Sequence, residues 1–109
     1  MRSKFLPEWI MIDKNLATAI GLNEALVIGC IAEDTKYKDR SCVQDGFLWF
    51  YNTLDDLSRN FFPFWDKKTI RQIFSRLEKM GVLISTKHNK FQMKMYRINP
   101  DFEIEDKID

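Results

Sequence analysis

The apolar residues of this chain fall into segments of two periodicities, and their order outlines the fold. Trp9-Ile10-Met11-Ile12 is a short apolar run that reads as a strand or a packed arm. Asp13 is placed to cap a short helix carrying Leu16, Ala17 and Ile20 on one face, and Gly21 stops it. Asn23 reads as the cap of a second helix, with Ala25, Leu26, Val27, Ile28, Cys30, Ile31 and Ala32. A helix that is apolar nearly all round belongs at the centre of a core. A charged loop from Lys36 through Arg40 to Asp45-Gly46 follows. Phe47-Leu48-Trp49-Phe50-Tyr51 is short, continuous and aromatic, which favours a strand buried on both faces.

The second half repeats the alternation more sharply. Thr53 opens a third helix with Leu54, Leu57 and Phe61 inward, and its hydroxyl is placed to accept from the Asp56 N–H. Pro63 drives Phe62 out of helical conformation. In Phe61-Phe62-Pro63-Phe64-Trp65, most rings are expected to pack the turn, with one left exposed. Asp66 caps a fourth helix, Lys67 to Met80, whose Ile70, Ile73, Phe74 and Leu77 recur at helical spacing, and Gly81 ends it. Val82 to Ser85 reads as a strand. Lys87-His88-Asn89-Lys90 reads as a turn with Asn89 left-handed, and Phe91 to Ile98 as the return strand. Two helices joined by a short turn and followed by a β-hairpin make an α+β winged helix-turn-helix. About four helices, a small antiparallel sheet and one hairpin wing are expected. Residues 1–98 form that domain, and residues 99–109 are an acidic tail or the start of a linker.

Charge changes the picture from a fold to a surface. The 109 residues carry a net charge of only +1. Residues 66–98, however, hold nine Lys/Arg against Asp66 and Glu78, whereas residues 1–65 and 99–109 are both net acidic. Such a block is a local electrostatic footprint for a polyanion. At about 100° per residue, the fourth helix turns Lys68, Gln72, Ser75 and Lys79 away from its apolar stripe, flanked by Thr69 and Arg76 on one edge and Arg71 on the other. Glu78 sits at the core boundary. That face holds donors and cations and no acid, which suits the major groove of double-stranded DNA. Lys68, Thr69, Gln72 and Arg76 are the expected base readers. Arg71, Ser75, Lys79 and Lys67 are expected at phosphates, with Lys87, Asn89, Lys90 and Lys94 of the hairpin beside them. About six phosphate contacts would weaken binding roughly 10³-fold between 50 and 200 mM salt. The plainer reading of the same face is a solvated helix surface.

Other chemistry is thinly represented. Cys30 and Cys42 form no framework, and one His supplies no zinc-ligand spacing, so no metal or cofactor is expected. Cys30 reads as a small core residue. Asp55-Asp56 read as first-turn acids rather than a catalytic pair. His88 has no neighbouring Cys or acid in sequence to activate it, so no catalytic residue and no enzyme is expected. Phe47 to Tyr51 as a base-stacking platform is the weaker alternative to burial. No segment approaches the ~20 apolar residues of a membrane span, and Met1 to Glu8 lacks an apolar leader, so the expectation is a cytoplasmic protein with no membrane partner.

Several of these segments together resemble a known family. Phe47-Leu48-Trp49-Phe50-Tyr51-Asn52-Thr53, Phe62-Pro63-Phe64-Trp65, Thr69-Ile70-Arg71, Leu77-Glu78-Lys79-Met80-Gly81 and Tyr96-Arg97-Ile98 are similar to the N-terminal winged-helix domain of phage and mobile-element replication initiators, the replisome organisers and DnaD-like proteins. Leu16-Ala17 and Ile20 to Ala25 look like that family's first two helices, so the resemblance spans roughly residues 9–98. It implies binding at a replication origin as a step towards helicase loading, with a helicase or its loader as a partner. The competing expectations are a winged-helix transcriptional regulator and a protein-interaction module. The module would form a homodimer through the hairpin or the Trp9–Ile12 segment, by pairing at an exposed strand edge.

Overall fold

The computed structural model describes residues 8–36 and 42–104. The start of the chain, most of the charged loop after Lys36 and the end of the acidic tail lie outside the described residues. Helix α1 (Lys14–Ile20) leads into α2 (Leu22–Asp34). Strands β1 (Cys42–Gln44) and β2 (Phe47–Trp49) follow, then α3 (Leu54–Asp56), which runs on as a π-helical turn over Leu57–Phe61. Helix α4 (Lys67–Lys79), β3 (Leu83–Lys87) and β4 (Lys94–Ile98) complete the order. The fold is α+β, a winged helix-turn-helix: α3 and α4 are joined by a short turn, and the β3–β4 hairpin is the wing.

The helix ends follow from local chemistry. Asp13 accepts from Leu16 N at 3.0 Å, Thr53 from Asp56 N at 3.0 Å and Asp66 from Thr69 N at 2.7 Å. Each satisfies an N–H that the helix itself leaves open. At the far end of α4, Gly81 N donates to Glu78 O and Val82 N to Leu77 O, both at 3.0 Å. This Schellman turn needs the left-handed φ of +77° that Gly81 takes. Asn23 is not the cap of α2. Gly21 serves both helices: its N–H closes α1 on Ala17 O, and at a φ of 112° it caps α2, which starts two residues earlier than expected.

The core gathers where α2, α3 and α4 meet the inner face of the wing. Val27, Ile31, Phe62, Ile70, Leu77 and Val82 are among its fully enclosed members. Phe62 arrives there through the π-turn, its N–H reaching back to Leu57 O at 2.7 Å. It lies 5.3 Å, centroid to centroid, from Trp65 and 6.4 Å from Phe74. Phe64 is the one ring of the turn left exposed, while Phe61 and Trp65 are half-buried. The chain stays with the body past Ile98, since Asn99 N donates to Val82 O at 2.8 Å and Phe102 packs against the core.

Two expectations about strands need correction, and the Trp9–Ile12 segment, read as a strand or a packed arm, takes the second form. First, the 47–51 segment is half of a second hairpin. Asp45 and Gly46 both take positive φ, 55° and 80°, the pattern of a two-residue type I′ turn, and Gln44 pairs with Phe47 across it. A two-stranded ribbon covers one face only, so Trp49 and Phe50 are buried while Phe47 remains 48% exposed. A single bridge, Phe50 to Tyr96, joins this ribbon to the wing. Second, the wing strands are Leu83–Lys87 and Lys94–Ile98, and Gln92 (φ 58°), not Asn89, takes the left-handed conformation in the turn. Trp9 to Ile12 forms no strand. It is an exposed arm crossing α2 at Gly29, where a Cβ would stand 2.2 Å from Met11 O.

Candidate nucleic-acid interface

Helix α4 divides cleanly. Ile70, Ile73, Phe74 and Leu77 are buried, while Lys68, Arg71, Gln72, Ser75, Arg76 and Lys79 are exposed and Thr69 is half-buried. The polar face is therefore the one expected, and Asp66 and Gly81 fix where it begins and ends. A groove of ≈ 440 Å³ separates its C-terminal half from the wing, lined by Arg71, Ser75, Glu78, Lys79, Lys94 and Tyr96. Helix and hairpin thus present cations across one groove.

The acids around α4 are each engaged. Lys67 forms an ion pair with Asp55, whose carboxyl is held below the ordinary carboxylate range by that hydrogen bond and by the Lys67 charge. Asp66 is held low mainly by the Thr69 backbone N–H. Glu78 is held on both sides: Lys94 Nζ donates to Oε1 at 2.6 Å and the Ser85 hydroxyl to Oε2 at 2.9 Å. This contact ties both wing strands to the helix. Burial, with Glu78 nearby, pushes the Tyr96 phenol up to about 12. Arg76 leans back over α2, its guanidinium 3.5 Å from the buried Glu24.

These pairings sort the expected cations. Lys68, Arg71 and Lys79 on the helix, and Lys87 and Lys90 on the wing, enter no salt bridge among the described residues. Lys67, Arg76 and Lys94 do. Gln72 and Ser75 lie exposed between the free cations. Asn89 sits at the wing tip, where its backbone N–H, rather than its side chain, is engaged: it donates to Gln44 Oε1 at 3.0 Å.

Two positioning residues escaped the sequence reading, and a third, His88, takes the turn position expected of it. Gln44 is buried under the wing, and its Nε2 also donates to Lys87 O at 3.1 Å, so one amide holds the backbone on either side of His88. The Asp45-Gly46 turn signal would have placed it on a strand beside the wing. Arg97 lays its guanidinium 4.0 Å from the Phe47 ring centroid and 5.5 Å from that of Trp49, which directs its charge away from α4. His88 accepts at Nδ1 from Lys90 N and Phe91 N, both at 3.1 Å, which makes it a scaffold for the turn. Elsewhere, Cys30 is half-buried against the core, and burial, helped by the Asp34 charge, pushes its thiol up to about 11. Among the described residues no three His, Cys, Asp or Glu side chains gather as metal ligands would, and no helix is long and apolar enough to cross a membrane.

The chain matches no protein-family model, no curated protein and no solved structure.

Proposed function

We propose that this chain binds double-stranded DNA, with α4 in the major groove and the wing against the neighbouring backbone. One observation carries the reading: the solvent face of α4 holds Lys68, Arg71, Gln72, Ser75 and Lys79 without an acid, beside a basic hairpin that is clamped to the same helix. Lys68, Thr69 and Gln72 lie in the first turns, where base edges are met in this docking geometry. Arg71, Lys79, Lys87 and Lys90 flank them at phosphate positions. Lys67, Arg76 and Lys94 contribute less, because each begins with a carboxylate partner. The reading is of a binding protein rather than an enzyme, with His88 as a scaffold of the wing turn.

The resemblance to phage and mobile-element initiators extends this to a cytoplasmic role at a replication origin, with a helicase or its loader, or a second copy of the chain, as partners. Duplex binding by fluorescence anisotropy tests the first part. Gln72→Ala should relax sequence preference, and Lys68→Ala should either do the same or weaken all duplexes alike, which separates a base reader from a phosphate contact. No binding at 50 mM salt would overturn the proposal. A footprint over a promoter instead of an origin would replace replication with transcriptional control.

A further inference from the structure

The wing tip carries a feature that groove binding does not use. Phe91 is 64% exposed, although it sits in a turn of otherwise polar residues. Its ring stacks on His88 at 5.0 Å between centroids and 25° between planes, and His88 in turn lies 5.1 Å and 33° from Tyr51. The three rings form a ladder from the body of the protein to solvent. The backbone around it is held at several points. His88 N donates to Met93 O at 2.8 Å, Gln92 N to His88 O at 2.9 Å, and the His88 Nδ1 takes two further N–H groups. Gln44 pins the same turn from beneath. An exposed phenylalanine on so constrained a support is a flat surface already in place for another ring.

We infer that Phe91 stacks an unpaired nucleobase, so that the protein prefers duplex DNA bearing a single-stranded junction over an uninterrupted duplex. This rests on the DNA-binding reading above and adds a second, separable contact to it. Residues 87–94 contain no acid, and Lys87 and Lys90, which form no salt bridge among the described residues, flank the ring with charges that suit a phosphate backbone. Lys90 Nζ lies 5.4 Å from the Phe91 centroid, close enough to pass to the phosphate of a nucleotide stacked there. Aromatic rings take any base, because every base has a π face. The exposed neighbours of the ring are Asn89, Lys90 and Gln92 rather than further apolar side chains, which disfavours a lipid surface.

The test compares a blunt duplex with the same duplex carrying an unpaired tail, with 2-aminopurine at the first unpaired position. The wild type should bind the tailed DNA about tenfold more tightly, as one base–aromatic stack implies, and quench the 2-aminopurine. Phe91→Ala should abolish the preference and the quenching while leaving the blunt-duplex Kd within about twofold, and Phe91→Trp should restore both. Normal blunt-duplex binding with no tail preference in the wild type would overturn the inference alone, as would a preference that survives Phe91→Ala. Absence of binding to either DNA would overturn the inference and the reading beneath it. Loss on Phe91→Ala of binding to phosphatidylglycerol vesicles, with the tail preference intact, would assign the ring to a membrane surface and likewise overturn it.

Discussion

The salt dependence of DNA binding tests the electrostatic sorting at α4 directly, because free and paired cations contribute differently. Each phosphate contact adds about −0.9 to the slope of log K against log salt, through release of a condensed counterion. Arg71, Lys79, Lys87 and Lys90, the proposed phosphate contacts, form no salt bridge among the described residues. Four contacts give a slope of about −3.6, or roughly 150-fold weaker binding between 50 and 200 mM salt. Lys79→Ala should flatten the slope by about 0.9. Lys67→Ala should flatten it by less than about half as much, because Lys67 must first give up Asp55. Glu78→Gln should steepen it by up to about 0.9, since it releases Lys94, while an amide can still accept from Ser85. Anisotropy of a labelled duplex over a salt series reads all four proteins. A slope near zero would refute DNA binding through this face. Equal flattening by Lys67→Ala and Lys79→Ala would refute the claim that pairing decides which cations contribute.

Three further predictions concern the scaffold. Leu77 is fully enclosed and forms part of the Schellman turn that ends α4, so Leu77→Ala should cost about 2–5 kcal/mol, read from the urea midpoint. Gln44→Ala removes two hydrogen bonds to the wing bend and strands their partners, for a loss of about 2 kcal/mol and faster hydrogen exchange at the Asn89 amide. Stability should fall at both ends of the pH range, measured by thermal unfolding. The Tyr96 phenol is raised in the fold, so its contribution is complete below its ordinary value of 10.0 and is lost as pH rises towards about 12. Asp55 and Asp66 are lowered in the fold, so their contribution holds above the ordinary carboxylate value and is lost as pH falls through their depressed one. Tyr96→Phe should weaken the alkaline limb, leaving the part that Cys30 contributes between 9.0 and about 11, and an unchanged limb in that variant would disprove the assignment.

The legible parts of the fold are those where a local rule and the tertiary environment agree. Helix α4 is the clearest: a capping Asp66, apolar residues at spacings of three, four and seven and a terminal Gly81 all describe the same element. The start of α2 was misplaced because Asn23 is a good capping residue, yet Gly21 takes the position through a conformation that depends on φ, not on a side chain. The β1–β2 ribbon was half-seen because its first strand, Cys42 to Gln44, is too short for alternation to register. Only the Asp-Gly pair marked it. At the interface, sequence spacing assigned faces correctly but not partners. Nothing in the spacing of Lys67, Arg76 and Lys94 says that Asp55, Glu24 and Glu78 will meet them, because those contacts span 12, 52 and 16 residues.

Those long-range pairs explain how a chain with a net charge of +1 presents a basic surface. A helix flanked by Asp55, Asp66, Glu24 and Glu78 would offer a mixed field if the carboxylates faced outward. Instead Asp66 turns back to cap its own helix, Glu24 is buried on α2 facing Arg76, and Asp55 and Glu78 are each spent on one lysine. The acids remain in the sequence but leave the exposed face of α4. The Glu78 clamp has a mechanical consequence as well. Because it binds Ser85 on β3 and Lys94 on β4, this carboxylate joins the Gly81 turn and the Phe74–Tyr96 packing in fixing the wing against α4. On the proposed reading, helix and wing would meet a duplex as one preset unit, with little ordering entropy left for binding to overcome.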